Sequence, residues 1–301
     1  MRKSQLIYQY IREQGAVSKQ DIVIGLGLSL PTITQNLNNL AELGLIDTSK
    51  KISNTGGRNA TAYSYIEKAR YAVGLYLNRH HINCVAVDLS GNVISLIRVR
   101  ENFDLNDDNY LRKIGETVEE VKKDTGLPDD RFLGVGIAVQ GLISDDGERV
   151  TYGLTLNFTG VTRADIAKYI PYHNRLFHDS AAAGYAEVWD RNDLDDAFYL
   201  SLSNSVGGAV IVANKIFEGE RRKSGEIGHM TIIPKAGDRC YCGQRGCFDT
   251  VCRANVLAEY ADGDLEKFFD VTKQYMAALT ARRSEERRVG KECRSRWSPY
   301  H

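Results

Sequence analysis

The sequence has no run of about 18 consecutive apolar residues, the length that a transmembrane helix requires. It has only 5 Pro among 301 residues, and with 43% hydrophobic and 26% charged residues it lacks the composition of a disordered chain. The N-terminus, MRKSQLIYQYIREQ, has no apolar core of the kind that secretory signals contain. We therefore expect a soluble, cytoplasmic protein with no membrane partner, in a reducing compartment where disulfides are rare.

The sequence also has no net charge, because 39 Lys+Arg balance 39 Asp+Glu, but its charge is unevenly distributed. Residues 1–68 carry eight basic and five acidic side chains, a net charge of +3. Residues 282–301 carry seven basic and three acidic side chains, a net charge of +4, so the middle of the chain is at −7. An asymmetry of this kind indicates that one end of the chain meets a polyanion.

Three short helices are predicted at the N-terminus. Residues 3–14 place apolar side chains on one face with a period of 3.6. Ser18, with Asp21 three residues later, marks the start of a second helix. Ser29 starts a third helix and is followed by Pro31, in the first turn, where a missing N–H costs nothing.

The polar stretch that follows contains Gly56-Gly57-Arg58, and residues 61–66 are rich in Tyr and Thr, as strands are. Three helices followed by a hairpin with a glycine-rich tip are the layout of a winged helix-turn-helix, which we assign to residues 1–68. The alternative is a three-helix interaction module with a polar surface.

The third helix of such a domain lies in the major groove of DNA. Its face opposite the apolar stripe offers neutral groups that suit base edges and phosphates: Thr32, Thr34, Gln35, Asn38 and Asn39. Arg58, at the tip of the wing, is a candidate contact for the minor groove.

The pattern changes after residue 68. Three strands within residues 72–99, a helix over 107–123 and further β/α units indicate an α/β domain with a mixed sheet. We assign residues 69–194 to a first lobe and residues 195–281 to the start of a second lobe.

Four of the six cysteines lie within thirteen positions, at Cys240, Cys242, Cys247 and Cys252. In a cytosolic protein such a cluster binds metal more often than it forms disulfides. Zinc prefers four tetrahedral N or S ligands, so two sets are open: His229 with the first three cysteines, or the four cysteines alone. A site with four protein ligands is closed and therefore structural, and the alternative is a group of buried, reduced thiols.

Two motifs resemble the signature of the ROK family (repressor, open reading frame, kinase): Ser224-Gly225-Glu226-Ile227-Gly228-His229 and Cys240-x-Cys242-Gly243-x-x-Gly246-Cys247. The resemblance runs from residue 1 to about residue 280. A winged helix before a ROK body is typical of the repressor branch, the relatives of the xylose-operon and N-acetylglucosamine regulators. The resemblance implies an actin-like, two-lobed sugar-kinase fold with the sugar between the lobes, and a zinc ion held by His229, Cys240, Cys242 and Cys247.

The resemblance also implies the sugar contacts. The sequence His178-Asp179-Ser180 is similar to the family's Asn-Asp-Ala motif, so Asp179 takes the position of the kinase base. Glu226 and His229 match residues that hydrogen-bond sugar hydroxyls. Asp249 stands where the family usually has Glu, one carbon longer.

The phosphate-binding part of kinase chemistry is missing. The kinases of the family carry an Asp-x-Gly-Gly-Thr turn after the first strand, whereas residues 75–80 contain neither glycine nor an acidic residue. Side chains there block the close backbone approach that a phosphate requires. A second phosphate loop keeps only Gly207 and Gly208, for which a tight turn between strands is a sufficient explanation.

These features predict a sugar-responsive repressor of carbohydrate-utilisation genes, with no catalytic residue. Its expected partners are operator DNA, a small sugar and further copies of the chain in a homodimer or tetramer. Two alternatives remain: an ATP-dependent hexose kinase, and a repressor that is silenced by a partner protein.

Residues 282–301 do not fit the family. The apolar periodicity of residues 265–279 stops, and arginine becomes dense. We interpret this basic tail as unrelated sequence translated beyond a truncated gene, in preference to a nucleic-acid-binding arm. The resemblance implies that the family body continues for about a hundred further residues, where a typical domain has about 100–200, so we expect the second lobe to be incomplete.

Overall fold

A computed structural model of the chain describes residues 3–52, 60–189, 195–220, 222–234, 237–254 and 256. The chain divides into two compact units, Met1–Asp179 and a unit that starts at Ser180. The domain boundaries predicted after residues 68, 194 and 281 stay predictions.

The first unit begins with three helices and five short strands: α1 (Lys3–Gln14), β1 (Ala16–Val17), α2 (Lys19–Leu26), α3 (Leu30–Glu42), β2 (Ile46–Asp47), β3 (Lys51–Ile52), β4 (Ala60–Thr61) and β5 (Tyr63–Tyr65). Strand β5 lies between β1 and β2 in an antiparallel sheet, and β3 pairs with β4. We call residues 3–52 and 60–65 the N-terminal module.

Local sequence signals explain the helices of the N-terminal module. The Ser18 hydroxyl accepts a bond from the Asp21 N–H at 3.2 Å, and the Asp21 carboxylate accepts one from the Ser18 N–H at 2.8 Å. This capping box starts α2, and Gly27, with φ +62°, ends it. The helices then bury one apolar stripe each in a common core: Ile7, Ile11, Ile22, Ile33, Leu37 and Leu40.

Apart from two 3-10 turns, Glu67–Ala69 and Asp129–Arg131, the rest of the first unit contains these helices and strands: β6 (Tyr71–Leu77), β7 (His81–Asp88), β8 (Val93–Arg100), α4 (Asp108–Asp124), β9 (Phe132–Val139), β10 (Leu142–Ile143), β11 (Val150–Tyr152), α5 (Arg163–Ile166) and β12 (Asn174–His178). Five strands form one sheet in the order β12-β9-β6-β7-β8. Strands β12, β9 and β6 are parallel, whereas β6, β7 and β8 are antiparallel. The predicted α/β domain with a mixed sheet is confirmed.

Helix α4 covers one face of this sheet. Its apolar side chains Ile114, Val118 and Val121 are buried in the same core as alternate residues of the strands, which are Tyr71, Val73, Leu75, Leu77, Ile82, Cys84, Ala86, Val135, Ile137 and Val139. Side chains along each strand therefore alternate between the face buried under α4 and the opposite face of the sheet.

Hydrogen bonds fasten the N-terminal module to the sheet. The Leu89 N–H donates to the Glu67 carbonyl at 3.0 Å, and the Ser90 hydroxyl donates to the Tyr65 hydroxyl at 3.1 Å. The Arg70 guanidinium donates to the Leu43 carbonyl, just after α3, at 3.0 Å. The turn between β7 and β8 thus contacts the segment that links the module to β6.

Helix α6 (Asp179–Val188) begins at the last residue of the first unit and continues into the second unit. The described residues of the second unit then form β13 (Ala197–Leu202), β14 (Val206–Val212), β15 (Lys215–Ile216), a short 3-10 helix (Ile227–His229) and α7 (Phe248–Cys252). The three strands form an antiparallel sheet in chain order. Helix α7 was not predicted.

In the described part of the chain, no helix combines the length and the apolar character that crossing a bilayer demands. The predicted tail at residues 282–301 and the apolar-periodic residues 265–279 lie outside the described residues.

Candidate functional sites

Four side chains with metal-binding atoms converge in the second unit: His229, Cys240, Cys242 and Cys247. We call them the histidine–cysteine cluster. Their ligand atoms all lie within 4.8 Å of one another. The Cys240 Sγ is 3.5 Å from the His229 Nδ1, and the Cys242 Sγ is 3.7 Å from the Cys247 Sγ. The structure groups the histidine with three cysteines and leaves Cys252, in α7, outside.

Glycines give the loop of the histidine–cysteine cluster its shape. Gly243 and Gly246 have φ values of +92° and +69°, which other residues adopt only under strain. A Cβ at Gly246 would overlap the carbonyl oxygen of Ile233, so this position has no room for a side chain. The Cys240 N–H donates to the Gln244 carbonyl at 2.8 Å and closes the turn. The backbone therefore brings the thiols together without a helix or strand between them.

The chemistry of the donor set fits a soft metal ion. Burial raises the pKa of the Cys247 thiol to about 12, and neighbouring thiols add to the rise. Burial also raises the pKa of the Cys240 thiol. Cysteine thiols bind a metal as thiolates, so a cation at this cluster would have to displace their protons. One imidazole and three sulfurs suit zinc, whereas magnesium and calcium require oxygen ligands.

His229 connects the histidine–cysteine cluster to Glu226. Its Nδ1 faces Cys240, while its Nε2 lies 3.7 Å from the Glu226 Oε2. The ring of Tyr241 packs edge-on against the imidazole, with centroids 5.0 Å apart. A carboxylate beside the second nitrogen of a ligating histidine fixes the orientation of the ring. The Glu226 side chain keeps 23% of its surface exposed.

Asp249 is in a different environment from Glu226. It is only 1% exposed, and its Oδ1 accepts a hydrogen bond from the Val206 N–H at 2.7 Å. Asp249 follows the cluster residue Cys247 by two positions and reaches the first residue of β14. Its burial favours a role in holding this turn, and direct sugar contact by Asp249 stays a prediction.

Asp179 belongs to the first unit, where it starts α6 directly after the parallel strand β12. Its Oδ1 lies 3.7 Å from the His178 Nε2, and about a fifth of each side chain is exposed, 20% and 21% respectively. The carboxyl ends of parallel strands are where open α/β sheets bind ligands. The other predicted sugar contacts lie in the second unit.

In the turn between β6 and β7, two backbone N–H groups that could otherwise bind a phosphate are already hydrogen-bonded. The Asn78 side-chain oxygen accepts from the N–H of His80 at 3.1 Å and from the N–H of His81 at 2.9 Å. Close packing explains the two glycines of the candidate second phosphate loop. A Cβ at Gly207 would overlap the Ser180 hydroxyl, and a Cβ at Gly208 would overlap the Ile227 side chain.

Helix α3 presents most of the predicted DNA contacts to solvent. Gln35, Asn38 and Asn39 are exposed, and Thr34 is half-buried. The Thr32 hydroxyl lies 2.9 Å from the Ser29 hydroxyl at the helix N-cap, so it has a structural partner. The remaining predicted contact, Arg58, lies outside the described residues.

Residues 72–287 match the ROK family. The chain belongs to the ROK family. It is 25% identical over 267 residues to the xylose repressor of Bacillus subtilis (strain 168), which covers 84% of this chain and 66% of that protein. It is 24% identical over 267 residues to the DNA-binding transcriptional dual regulator NagC of Escherichia coli (strain K12), and the match covers 85% of this chain and 63% of that protein. The chain thus spans a little under two thirds of the length of these relatives.

Two solved ROK structures show the fold. A ROK family transcriptional regulator, a homologue of the E. coli MLC protein, has a TM-score of 0.70 at 21% identity and covers 87% of this chain and 67% of that one. The ROK hexokinase of Thermus thermophilus has a TM-score of 0.52 at 23% identity, and the match covers 65% of this chain and 64% of that one. The predicted sugar-kinase type of fold is therefore confirmed, and an incomplete second lobe stays a prediction.

The histidine–cysteine cluster makes a prediction about metal content. We expect the purified chain to hold one zinc ion, measured by inductively coupled plasma mass spectrometry, because its four ligands satisfy a tetrahedral ion. Cys247→Ser should lose the metal and lower the melting temperature. Cys252→Ser is the matched control and should keep both; equal metal loss in the two variants would contradict this ligand set.

The buried Asp249 makes a prediction about stability. Asp249→Ala leaves the Val206 N–H unpaired and should lower the free energy of unfolding by about 1–3 kcal/mol in urea titrations. Asp249→Asn keeps an acceptor oxygen and should lose clearly less. If both variants were as stable as the parent chain, the backbone contact would have no structural weight.

Proposed function

We propose that this protein is a sugar-responsive transcriptional repressor of carbohydrate-utilisation genes. The N-terminal module binds operator DNA as a winged helix-turn-helix, and the ROK body binds a small sugar. The protein acts as a homodimer or tetramer in the cytoplasm and carries out no catalysis.

The observation that carries the proposal is the exposed polar face of α3. Gln35, Asn38 and Asn39 lie opposite the buried Ile33 and Leu37 on a helix of 13 residues. Such a helix is about 20 Å long and fits the major groove. Helices α2 and α3 follow each other across a short turn at Gly27, and antiparallel strands come next, in the order of a winged helix-turn-helix.

The extent of the structural likeness supports the regulator over the kinase. The likeness to the regulator extends over 87% of the chain, whereas the likeness to the hexokinase extends over 65%. The larger share exceeds the residues that match the ROK family, so it includes part of the N-terminal module. The two relatives named above are described as a repressor and as a transcriptional regulator.

The turn between β6 and β7 supports the same choice. A phosphate would need backbone N–H donors there, but Asn78 already accepts the N–H groups of His80 and His81. Asp179 without a phosphoryl donor serves as an acceptor for a sugar hydroxyl.

The sugar is held by Asp179, Glu226 and His229 in our proposal. The zinc held by the histidine–cysteine cluster would supply a fixed orientation of the His229 imidazole and no reaction chemistry. The Nε2 of His229 and the Oε2 of Glu226 lie 3.7 Å apart, which suits two neighbouring hydroxyls of one sugar. A sugar that binds one conformation better changes the spacing of two winged helices in a dimer, and strict half-site spacing converts that change into weaker DNA binding.

The α3 face generates a DNA-binding prediction. An operator is first selected from random-sequence DNA with the full chain. Gln35→Ala and Asn38→Ala should each weaken binding in gel-shift titrations by about ten- to a hundredfold, since a good base contact is worth about 1–3 kcal/mol. Lys123→Ala on α4 is the control and should bind normally. Undiminished binding by both α3 variants would place the DNA contact elsewhere.

The sugar contacts generate a ligand prediction. A thermal-shift screen of pentoses, hexoses and amino sugars should find one class that raises the melting temperature. Glu226→Gln should abolish that shift while metal content stays at the parent level, because Glu226 is outside the histidine–cysteine cluster. If none of the sugars raises the melting temperature, control by a partner protein would be supported. If ADP forms from ATP with any of the sugars, the kinase would be supported.

A further inference from the structure

Residues 66–70 join the N-terminal module to β6, and we call them the linker. The sequence of the linker, Ile-Glu-Lys-Ala-Arg, has no glycine, serine or proline, whereas flexible linkers are rich in glycine and serine. The structure folds the linker into a 3-10 turn, Glu67–Ala69, and extends it at Arg70. Small domains that are joined by one chain move relative to each other unless their contacts prevent it. The contacts of the linker therefore decide whether the N-terminal module can move.

The linker is held from both strands that flank β6 in the sheet. The Glu67 carbonyl accepts a hydrogen bond from the Leu89 N–H, directly after β7, at 3.0 Å. The Lys68 carbonyl accepts one from the Arg131 guanidinium, directly before β9, at 3.2 Å. Strands β7 and β9 lie on opposite sides of β6. Two consecutive carbonyls of the linker are therefore fixed to opposite neighbours, which leaves the linker little freedom to rotate.

The Arg70 side chain joins the linker to α3. Its guanidinium donates to the Ala69 carbonyl at 2.7 Å and to the Leu43 carbonyl at 3.0 Å. Leu43 is the C-cap of α3, and the last carbonyls of a helix have no partner within the helix. A cation at this end also interacts favourably with the helix dipole. One half-buried side chain thus connects the end of α3 to the backbone just before β6.

Two further hydrogen bonds support the same joint. The Ile66 N–H donates to the Leu45 carbonyl at 3.0 Å, and the Ser90 hydroxyl donates to the Tyr65 hydroxyl at 3.1 Å. All of these residues belong to the first unit. The linker is therefore bound to the N-terminal module on one side and to the sheet on the other.

We propose that the linker is a rigid mount, and that Arg70 is the positioning residue that fixes the orientation of α3 relative to the five-stranded sheet. The alternative is a hinge, which would absorb a movement of the ROK body before it reached α3. A rigid mount passes such a movement on to α3, and it holds the two modules of a dimer at one spacing. The statement about spacing rests on the proposed function, whereas the rigidity of the mount does not depend on it.

Residual dipolar couplings of the backbone amides test the mount in the full chain without DNA. The N-terminal module and the five-stranded sheet should fit one common alignment tensor. In Arg70→Ala each part should still fit its own internal structure, but the two parts should need different tensors. A mere loss of stability would not produce that pattern. Arg70→Lys keeps a cationic donor and should be closer to the parent chain than Arg70→Ala.

Arg79→Ala is the matched control for these couplings. The Arg79 guanidinium also donates to a backbone carbonyl, that of Thr155, at 2.7 Å, but Thr155 is outside the linker and the N-terminal module. This variant should keep the common tensor. If Arg70→Ala has no cooperative melting transition, Tyr65→Phe combined with Ser90→Ala removes another hydrogen bond of the same joint and should separate the tensors instead.

Operators with altered half-site spacing test the consequence for DNA binding. Insertion of about five base pairs turns one half-site by about half a helical turn. The parent chain should bind such an operator at least about tenfold more weakly in gel-shift titrations, because rigidly mounted modules cannot reach both half-sites at once. Arg70→Ala should lose less than about threefold, while its affinity for a single half-site stays at the parent level.

The mount would be disproved by different tensors in the parent chain, by one common tensor in Arg70→Ala, or by separate tensors in Arg79→Ala. Equal dependence on half-site spacing in Arg70→Ala and in the parent chain would also overturn the role of Arg70. If the parent chain binds no DNA at all, the proposed function fails, and the couplings alone decide about the mount.

Discussion

The convergence of one imidazole and three thiols is the constraint on which the second unit depends. Between His229 and Cys247 the described chain contains no helix or strand, so neither a backbone ladder nor a large core fixes its path. Segments of this kind are ordered by cross-links, and a metal held by four side chains is one such cross-link. Two contacts connect the cluster to the rest of the unit. The His229 ring lies beside Glu226, and α7, which directly follows Cys247, carries Asp249, which accepts a hydrogen bond from the first residue of β14. The positions of Glu226 and of the start of β14 therefore both depend on the histidine–cysteine cluster.

Sequence reasoning succeeded where the signal was local. Ser18 with Asp21, and Ser29 with Pro31, mark the starts of their helices from residues at most three positions apart. The cysteine spacing predicted a metal group, although it left two ligand sets open. The family resemblance singled out His229 with the first three cysteines, and the structure places His229 beside Cys240, eleven positions away along the chain.

The predictions that changed or gained detail depend on distant contacts. The hydrogen bond from Val206 to Asp249 joins residues 43 positions apart, and no pattern in either segment indicates it. The side-chain bonds of Asn78 were hidden for a different reason: asparagine in a turn is common, and only the geometry shows which donors it occupies. The small β10–β11 pair and α7 were missed because two- to five-residue elements have no measurable period.

The Asn78 turn has a consequence within the proposed function. Asn78 accepts the N–H groups of His80 and His81, so these two backbone donors are already occupied. Under the proposed function, a regulator with such a turn would respond to a nutrient separately from the energy state of the cell.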